Sequence, residues 1–223
     1  MVAGAIAAMR YDRSALLRAL RLYLVTDQAS LRGRTLADVV MAAVQGGVTC
    51  VQLREKTLNT RDFCAQAIAL SQLLGPLKIP LVINDRIDIA MACAAQGVHL
   101  GQGDMPVAHA RRLLPPEVFI GLSVETLDQV VHSATLPVDY LGVSPVFATA
   151  TKTDTLAPWE LQGLREARAR TDLPLVAIGG IHAGNARAVL EAGADSLALV
   201  SALCSAPDPA DAARNFRKIF HGE

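Results

Sequence analysis

The stretch Gln45-Gly46-Gly47-Val48-Thr49-Cys50-Val51-Gln52-Leu53-Arg54-Glu55-Lys56 runs from a helix end through a glycine joint and an apolar strand to a cationic strand end. Glycine just past a helix end takes the left-handed conformation that turns the chain into the next strand. A strand over Thr49–Arg54 has a side-chain period of two. Val51 and Leu53 then project from one face, and Gln52, Arg54 and Lys56 from the other. A buried strand normally fills its inner face with aliphatic groups. Two cations and an amide there point to an anion, and Arg with Lys is the pairing that suits phosphate oxygens. The competing reading is a surface strand end whose Arg54 and Lys56 pair with Glu55 and its neighbours.

The same unit recurs outward along the chain. Strands are also expected at Leu22–Thr26, Pro80–Asn84, Gly97–Leu100, Val118–Ser123, Val138–Val143, Pro174–Gly179 and Ser196–Ser201. Between them, helical periodicity covers segments such as Leu36–Gln45, Arg61–Leu74, Arg86–Ala95, Ala183–Ala192 and Pro209–Phe220. The joints Ala95-Gln96-Gly97-Val98 and Glu191-Ala192-Gly193-Ala194-Asp195 repeat the glycine turn. Eight βα units predict an α/β fold, a single (β/α)8 TIM barrel over residues 22–223. Residues 1–21 form an N-terminal extension, whose helix over Asp12–Leu20 either plugs the barrel bottom or packs on its side. Uniformly apolar strands suit a parallel sheet covered on both faces. The alternative, a doubly wound open sheet, usually carries GxGxxG after its first strand. Here that strand runs into Thr26-Asp27-Gln28.

Hydrophobic residues make up 52% of the 223 and aromatics only 4%, so small and aliphatic side chains must do most of the packing. Lys+Arg and Asp+Glu both total 21, leaving no global field to recruit nucleic acid or anionic membrane. Any phosphate affinity must be local. Cys50, Cys64, Cys93 and Cys204 sit apart in apolar runs and read as buried free thiols of a reducing compartment. The apolar start Met1–Met9 lacks the basic residues that precede a signal-peptide core, and no run is long enough to span a bilayer. A cytoplasmic location is expected, with the first ten residues disordered or loosely helical.

A barrel active site forms at the carboxyl ends of the strands. There the sequence places Gln52, Arg54 and Lys56, then Asn84-Asp85-Arg86, Gly101-Gln102-Gly103-Asp104 and Ser123. Next come a long loop from Ser144 to Asp154 with Thr149, Thr151 and Lys152, then Gly179-Gly180, and finally Val200-Ser201. Asp85 and Asp104 are the candidate metal pair. Two hard carboxylates beside an anion site suit Mg²⁺, which keeps several waters and shares phosphate oxygens. The competing reading makes both aspartates helix caps, Asp85 before Arg86 and Asp104 before Pro106. His99 faces the lumen without a spaced partner, which favours a satisfied core histidine over a metal ligand. Gly179-Gly180 and Ser201 match the common barrel phosphate site. Together these residues point to a diphosphate with Mg²⁺ near strands two to six and a monophosphate at strands seven and eight.

From about Leu22 to Phe220 the ordered motifs closely resemble the thiamine phosphate synthase (thiamine-phosphate pyrophosphorylase) family. They are Val51-Gln-Leu-Arg-Glu-Lys56, Ile83-Asn-Asp-Arg-Ile-Asp88, Gly97-Val-His-Leu-Gly-Gln102 with Asp104, Pro145-Val-Phe-Ala-Thr-Ala-Thr-Lys152 and Ala177-Ile-Gly-Gly-Ile181. The resemblance implies a transferase joining 4-amino-2-methyl-5-hydroxymethylpyrimidine diphosphate to 4-methyl-5-(2-phosphoethyl)thiazole, giving thiamine phosphate and pyrophosphate. It also implies that Gln52, Arg54, Glu55, Lys56, Asn84, Ser123 and Lys152 contact the pyrimidine diphosphate. Thr149, Thr151, Gly180, Val200 and Ser201 would contact the thiazole phosphate, and Asp85 and Asp104 would hold Mg²⁺. Arg54, Lys56, Ser123 and Lys152 take the catalytic roles. The implied partners are two phosphorylated small molecules, with neither nucleic acid nor membrane, and homo-oligomer formation stays open. The chain departs from the usual pattern at Val124-Glu125, where relatives often carry His, and at Ser144, where they often carry Gly.

Two other functions stay open at this point. A thiazole tautomerase-like isomerase on the same barrel would want a proton-shuttling His where Glu125 stands. A non-catalytic phosphometabolite-binding barrel would keep the ligand sets without turnover.

Overall fold

The structure, a computed structural model, describes residues 12–149 and 156–221. The expectation for the first ten residues lies outside them. Eight strands form a closed parallel barrel in sequence order: β1 Leu22–Val25, β2 Cys50–Leu53, β3 Leu81–Asn84, β4 Gly97–Leu100, β5 Phe119–Val124, β6 Tyr140–Val143, β7 Leu175–Ile178 and β8 Ser196–Leu199. Closure comes from β1 pairing with β8, Tyr23 opposite Ala198. The helices are α1 Arg13–Leu20, α2 Leu36–Gln45, α3 Thr60–Leu74, α4 Ile87–Ala92, α5 Val107–Leu113, α6 Leu127–Ser133, α7 Glu160–Arg168, α8 Ala186–Glu191, α9 Ser201–Cys204 and α10 Pro209–His221. The expected barrel is therefore the observed one.

The period of two divides every strand between two cores. Val51 and Leu53 of β2 join the outer layer between barrel and helices, with Leu22, Leu24, Ile83 and Leu141. Tyr23, Val25, Cys50, Val82, Phe119 and Tyr140 fill the barrel interior. That interior also takes Leu16 and Leu20 of α1, which are 4% and 0% exposed. Asp12 caps this helix by accepting from Ala15 N–H at 2.7 Å. The helix therefore closes the barrel floor, settling the choice between plug and flank.

Three interior positions carry glycine because a ring occupies the space a side chain would need. A Cβ on Gly97 would meet the Phe119 ring at 2.3 Å, one on Gly121 the Tyr140 ring at 2.1 Å, and one on Gly142 the His99 imidazole at 2.8 Å. This small-against-large pairing lets a few aromatic rings fill the interior. It also corrects one joint. Gly97 lies inside β4, and the left-handed residue after α4 is Ala94 (φ 52°). The other two joints behave as expected, with Gly47 at φ 113° and Gly193 at φ 109°.

All four cysteines are free, and Cys64 is only partly buried, whereas the other three are buried. Burial pushes the Cys93 and Cys204 thiols up to about 11, so neither is a ready nucleophile. Among the described residues, no helix is long and apolar enough to cross a membrane.

Candidate active site

The carboxyl ends of the strands surround a cavity of about 1020 Å³, large by the standard of single-ligand pockets. Its lining includes Gln52, Arg54, Lys56, Asn84, Asp85, Asp104, Ser123, Thr149, Gly180, Val200 and Ser201. The expected site residues are thus brought together, with three exceptions. Glu55 does not line the cavity. Thr151 and Lys152 lie outside the described residues.

The cationic strand end is built as the alternation requires. Gln52 is 5% exposed and points inward, and Arg54 N–H donates to Thr26 Oγ1 at 3.0 Å, extending the β1–β2 pairing by a side chain. Arg54 Nη1 lies 3.7 Å from Asp27 Oδ1, and Lys56 Nζ lies 2.5 Å from Asp85 Oδ2. Glu55 pairs with neither cation. Its Oε1 accepts from the N–H groups of Lys56, Thr57 and Leu58 and from the Thr57 hydroxyl. Burial raises this carboxyl, but those donors, led by Thr57, win and hold it below the usual carboxylate range. The surface-pair reading thus holds in part, since both cations are paired, but with Asp27 and Asp85 and not with Glu55, which shapes the loop that carries Lys56.

The capping reading of the two aspartates fails as well. The N-cap of α4 is Arg86, and that of α5 is Pro106, neither with a side-chain cap bond. Helix α4 starts at Ile87, one residue after the expected Arg86, because Arg86 is extended and its guanidinium is paired with Asp88. Asp85 occupies the left-handed region at φ 63°, unusual for a residue with a Cβ, while its N–H donates to His99 O at 2.9 Å. Asp104 Oδ2 accepts from Gly101 N–H at 2.6 Å. Burial raises the Asp104 carboxyl above its ordinary value, and the neighbouring Asp85 carboxyl adds to that, against Gly101 and Lys56. A carboxyl raised by a neighbouring carboxyl fits a divalent cation, which would relieve the repulsion. No cluster of three or more His, Cys, Asp or Glu suits a metal among the described residues. Asp85 and Asp104 could supply only two protein donors to a cation, which would leave the rest of its shell to water and phosphate oxygens.

On the opposite side, Gly179 (φ 103°) and Gly180 (φ 64°) follow β7. A Cβ on Gly180 would meet Phe147 Cβ at 2.7 Å and Ala148 O at 2.8 Å. The loop after β6 is anchored here, with Val146 N–H donating to Ile178 O and Phe147 N–H to Gly179 O. Asn185 Nδ2 donates to Gly180 O at 3.0 Å, fixing the turn from the other side.

Sequence reasoning missed the floor of the site. Gln52 Nε2 donates to Tyr23 Oη at 2.9 Å, and Tyr23 Oη lies 3.1 Å from Tyr140 Oη. Tyr140 Oη lies 2.9 Å from His99 Nδ1, and His99 Nε2 lies 2.9 Å from Ser123 Oγ. His99 is a hydrogen-bonded interior histidine, as expected, but its bonds end on a cavity residue. The signal lay in strand parity, since Tyr23 and Tyr140 fall on lumen positions where their hydroxyls need polar partners.

A cavity with a cationic side, a carboxylate pair and a glycine-lined far side at the strand ends defines a phosphate-handling (β/α)8 enzyme. The family model described as thiamine monophosphate synthase matches residues 22–203. The thiamine-phosphate synthase of Albidiferax ferrireducens is 75% identical over 204 residues, 92% of this chain and 93% of that protein. That of Vibrio parahaemolyticus is 50% identical over 198 residues, 88% of this chain and 96% of that protein. The solved thiamine phosphate pyrophosphorylase of Pyrococcus furiosus superposes with a TM-score of 0.85 at 36% identity, covering 93% of this chain and 98% of that one. The chain belongs to the thiamine monophosphate synthase family.

Proposed function

We propose that this chain joins 4-amino-2-methyl-5-hydroxymethylpyrimidine diphosphate to 4-methyl-5-(2-phosphoethyl)thiazole, releasing thiamine phosphate and pyrophosphate. The observation that carries this reading is one cavity with Arg54, Lys56, Asp85 and Asp104 on one side and Gly180, Val200 and Ser201 on another. A substrate with a diphosphate and a substrate with a monophosphate then meet between two separate anion sites. The isomerase reading lacks such support, since an isomerisation of one substrate needs only one of the two, and turnover separates the synthase from a non-catalytic barrel that keeps both.

Gln52, Asn84 and Ser123 orient the pyrimidine, each lining the cavity from a different strand. Arg54, Lys56 and Lys152 balance the negative charge that develops on the departing diphosphate. Asp85 and Asp104 would hold Mg²⁺, which supplies further positive charge to that leaving group when bound. Bond cleavage leaves a pyrimidinylmethyl cation, and the thiazole nitrogen attacks its methylene carbon. Thr149, Thr151, Gly180, Val200 and Ser201 hold the thiazole phosphate so that this nitrogen is in line. No side-chain nucleophile is required.

The test is incubation of the purified chain with both substrates and Mg²⁺. Thiamine phosphate and pyrophosphate are expected in equal amounts. Release of pyrophosphate without thiamine phosphate, or no turnover at all, would overturn the assignment.

A further inference from the structure

We propose that His99 is a positioning residue, held by Tyr140 in the Nε2–H tautomer so that Ser123 presents its hydroxyl proton to the pyrimidine substrate. This role rests on the reading of Ser123 as a contact to that substrate. The bonds Gln52–Tyr23–Tyr140–His99–Ser123 draw on five strands, with Tyr23 and Tyr140 1% and 0% exposed. Each phenol has one proton to give, and a buried hydroxyl proton without an acceptor is costly.

With Gln52 Nε2 as the donor to Tyr23, only one direction along this chain of bonds gives both phenol protons and the imidazole proton a nitrogen or oxygen acceptor. Gln52 Nε2 already donates to Tyr23. Tyr23 then donates to Tyr140, and Tyr140 to His99 Nδ1. The imidazole carries its proton on Nε2 and donates it to Ser123 Oγ. Ser123 lines the cavity, so its own proton is left for an acceptor atom of the bound substrate. In the reverse direction Ser123 donates into His99 and turns from the substrate. The Tyr23 proton is then left with the neighbouring Cys50 thiol, a weak acceptor. Gly121 and Gly142 leave the space that brings the Tyr140 and His99 rings within reach, so the relay depends on the same packing that shapes the interior.

Tyr140→Phe removes one oxygen and keeps the ring. Without the Tyr140 donor Nδ1 loses its fixed acceptor role, so the imidazole samples both tautomers and Ser123 is no longer held as an acceptor. We expect kcat/KM for the pyrimidine diphosphate to fall about tenfold in Tyr140→Phe and in Ser123→Ala. The double variant should be no worse than either alone, since both remove the same bond. The KM for the thiazole phosphate should be unchanged, which also reports that the variants are folded. His99→Gln, whose amide N–H reaches the Nε2 position, should retain more activity than His99→Leu. ¹⁵N NMR of the imidazole-labelled full chain, with His99 identified by its loss in His99→Gln, should show Nε2 protonated in the parent and a mixture of the two tautomers in Tyr140→Phe. Additive losses in the double variant, or an Nδ1–H tautomer in the parent, would overturn the proposal. Ser123→Ala with full activity would remove the Ser123 contact itself, and the role of His99 with it, whichever tautomer is seen.

Discussion

Lys56 Nζ and Asp85 Oδ2 stand 2.5 Å apart, tying the carboxyl end of β2 to that of β3 across the cavity wall. The Lys56 side chain is 53% exposed, so the pair contributes little to stability. Its consequence is chemical. It sets a cation of the proposed diphosphate side against one of the two carboxyls proposed to hold Mg²⁺, so one lysine faces two carboxyls on this wall.

Asp85→Asn or Asp104→Asn is expected to lower turnover by about 100-fold or more at limiting Mg²⁺, with partial recovery in excess metal. Since neither aspartate caps a helix, Asn has no capping role to preserve here. Steady-state rates across a Mg²⁺ titration check this, and full activity of Asp85→Asn at low Mg²⁺ would remove the metal assignment.

Asp104 also makes a prediction about pH. Its carboxyl is raised in the fold, chiefly by burial and then by Asp85. A raised acid binds more protons folded than unfolded, so its stabilising contribution is present at low pH and lost as pH rises through the folded value. In metal-free buffer, Asp104→Asn should therefore gain stability relative to the parent as pH rises from the ordinary aspartate range upward. Denaturant melts of both proteins with chelator read the difference, and a constant difference across that window would contradict the raised carboxyl.

Lys152 should act on the departing charge and so matter more in the transition state than in the ground state. Lys152→Ala is expected to slow single-turnover cleavage more than it weakens substrate binding. Weaker binding with an unchanged chemical step would make it a docking residue.

Gly180→Ala should impair thiazole phosphate binding while Mg²⁺-dependent diphosphate binding persists. The added methyl meets Phe147 and the Ala148 carbonyl at a left-handed position, a strain of about 1–3 kcal/mol. Calorimetry with each ligand decides it: parent-like affinity for both would mean that the phosphate site at β7 and β8 is misassigned.

Gly121→Ala should destabilise the fold by about 1–3 kcal/mol, because its Cβ falls 2.1 Å from the Tyr140 ring. Gly103→Ala meets nothing within 4 Å and should change stability by less than about 0.5 kcal/mol. Urea denaturation compares the two. Equal stabilities would show that the interior yields to the extra methyl.

Sequence alone determined the barrel, because alternation within a strand and glycine after a helix are local rules that act over a few residues. The same rule put Gln52, Arg54 and Lys56 on the cavity side and Val51 and Leu53 against the helices. Tertiary structure alone decided what those side chains meet. Tyr23 and Tyr140 are 117 positions apart and touch because the register of a closed barrel places them across one interior. Asp85 turns from a helix cap into a cavity carboxylate because its left-handed backbone hands the cap to Arg86. Gly97 repeats the sequence of a joint, yet serves as clearance for Phe119 on the next strand. Such pairings depend on strand stagger and on which ring claims a shared space, and these are non-local quantities that appear only once the barrel closes.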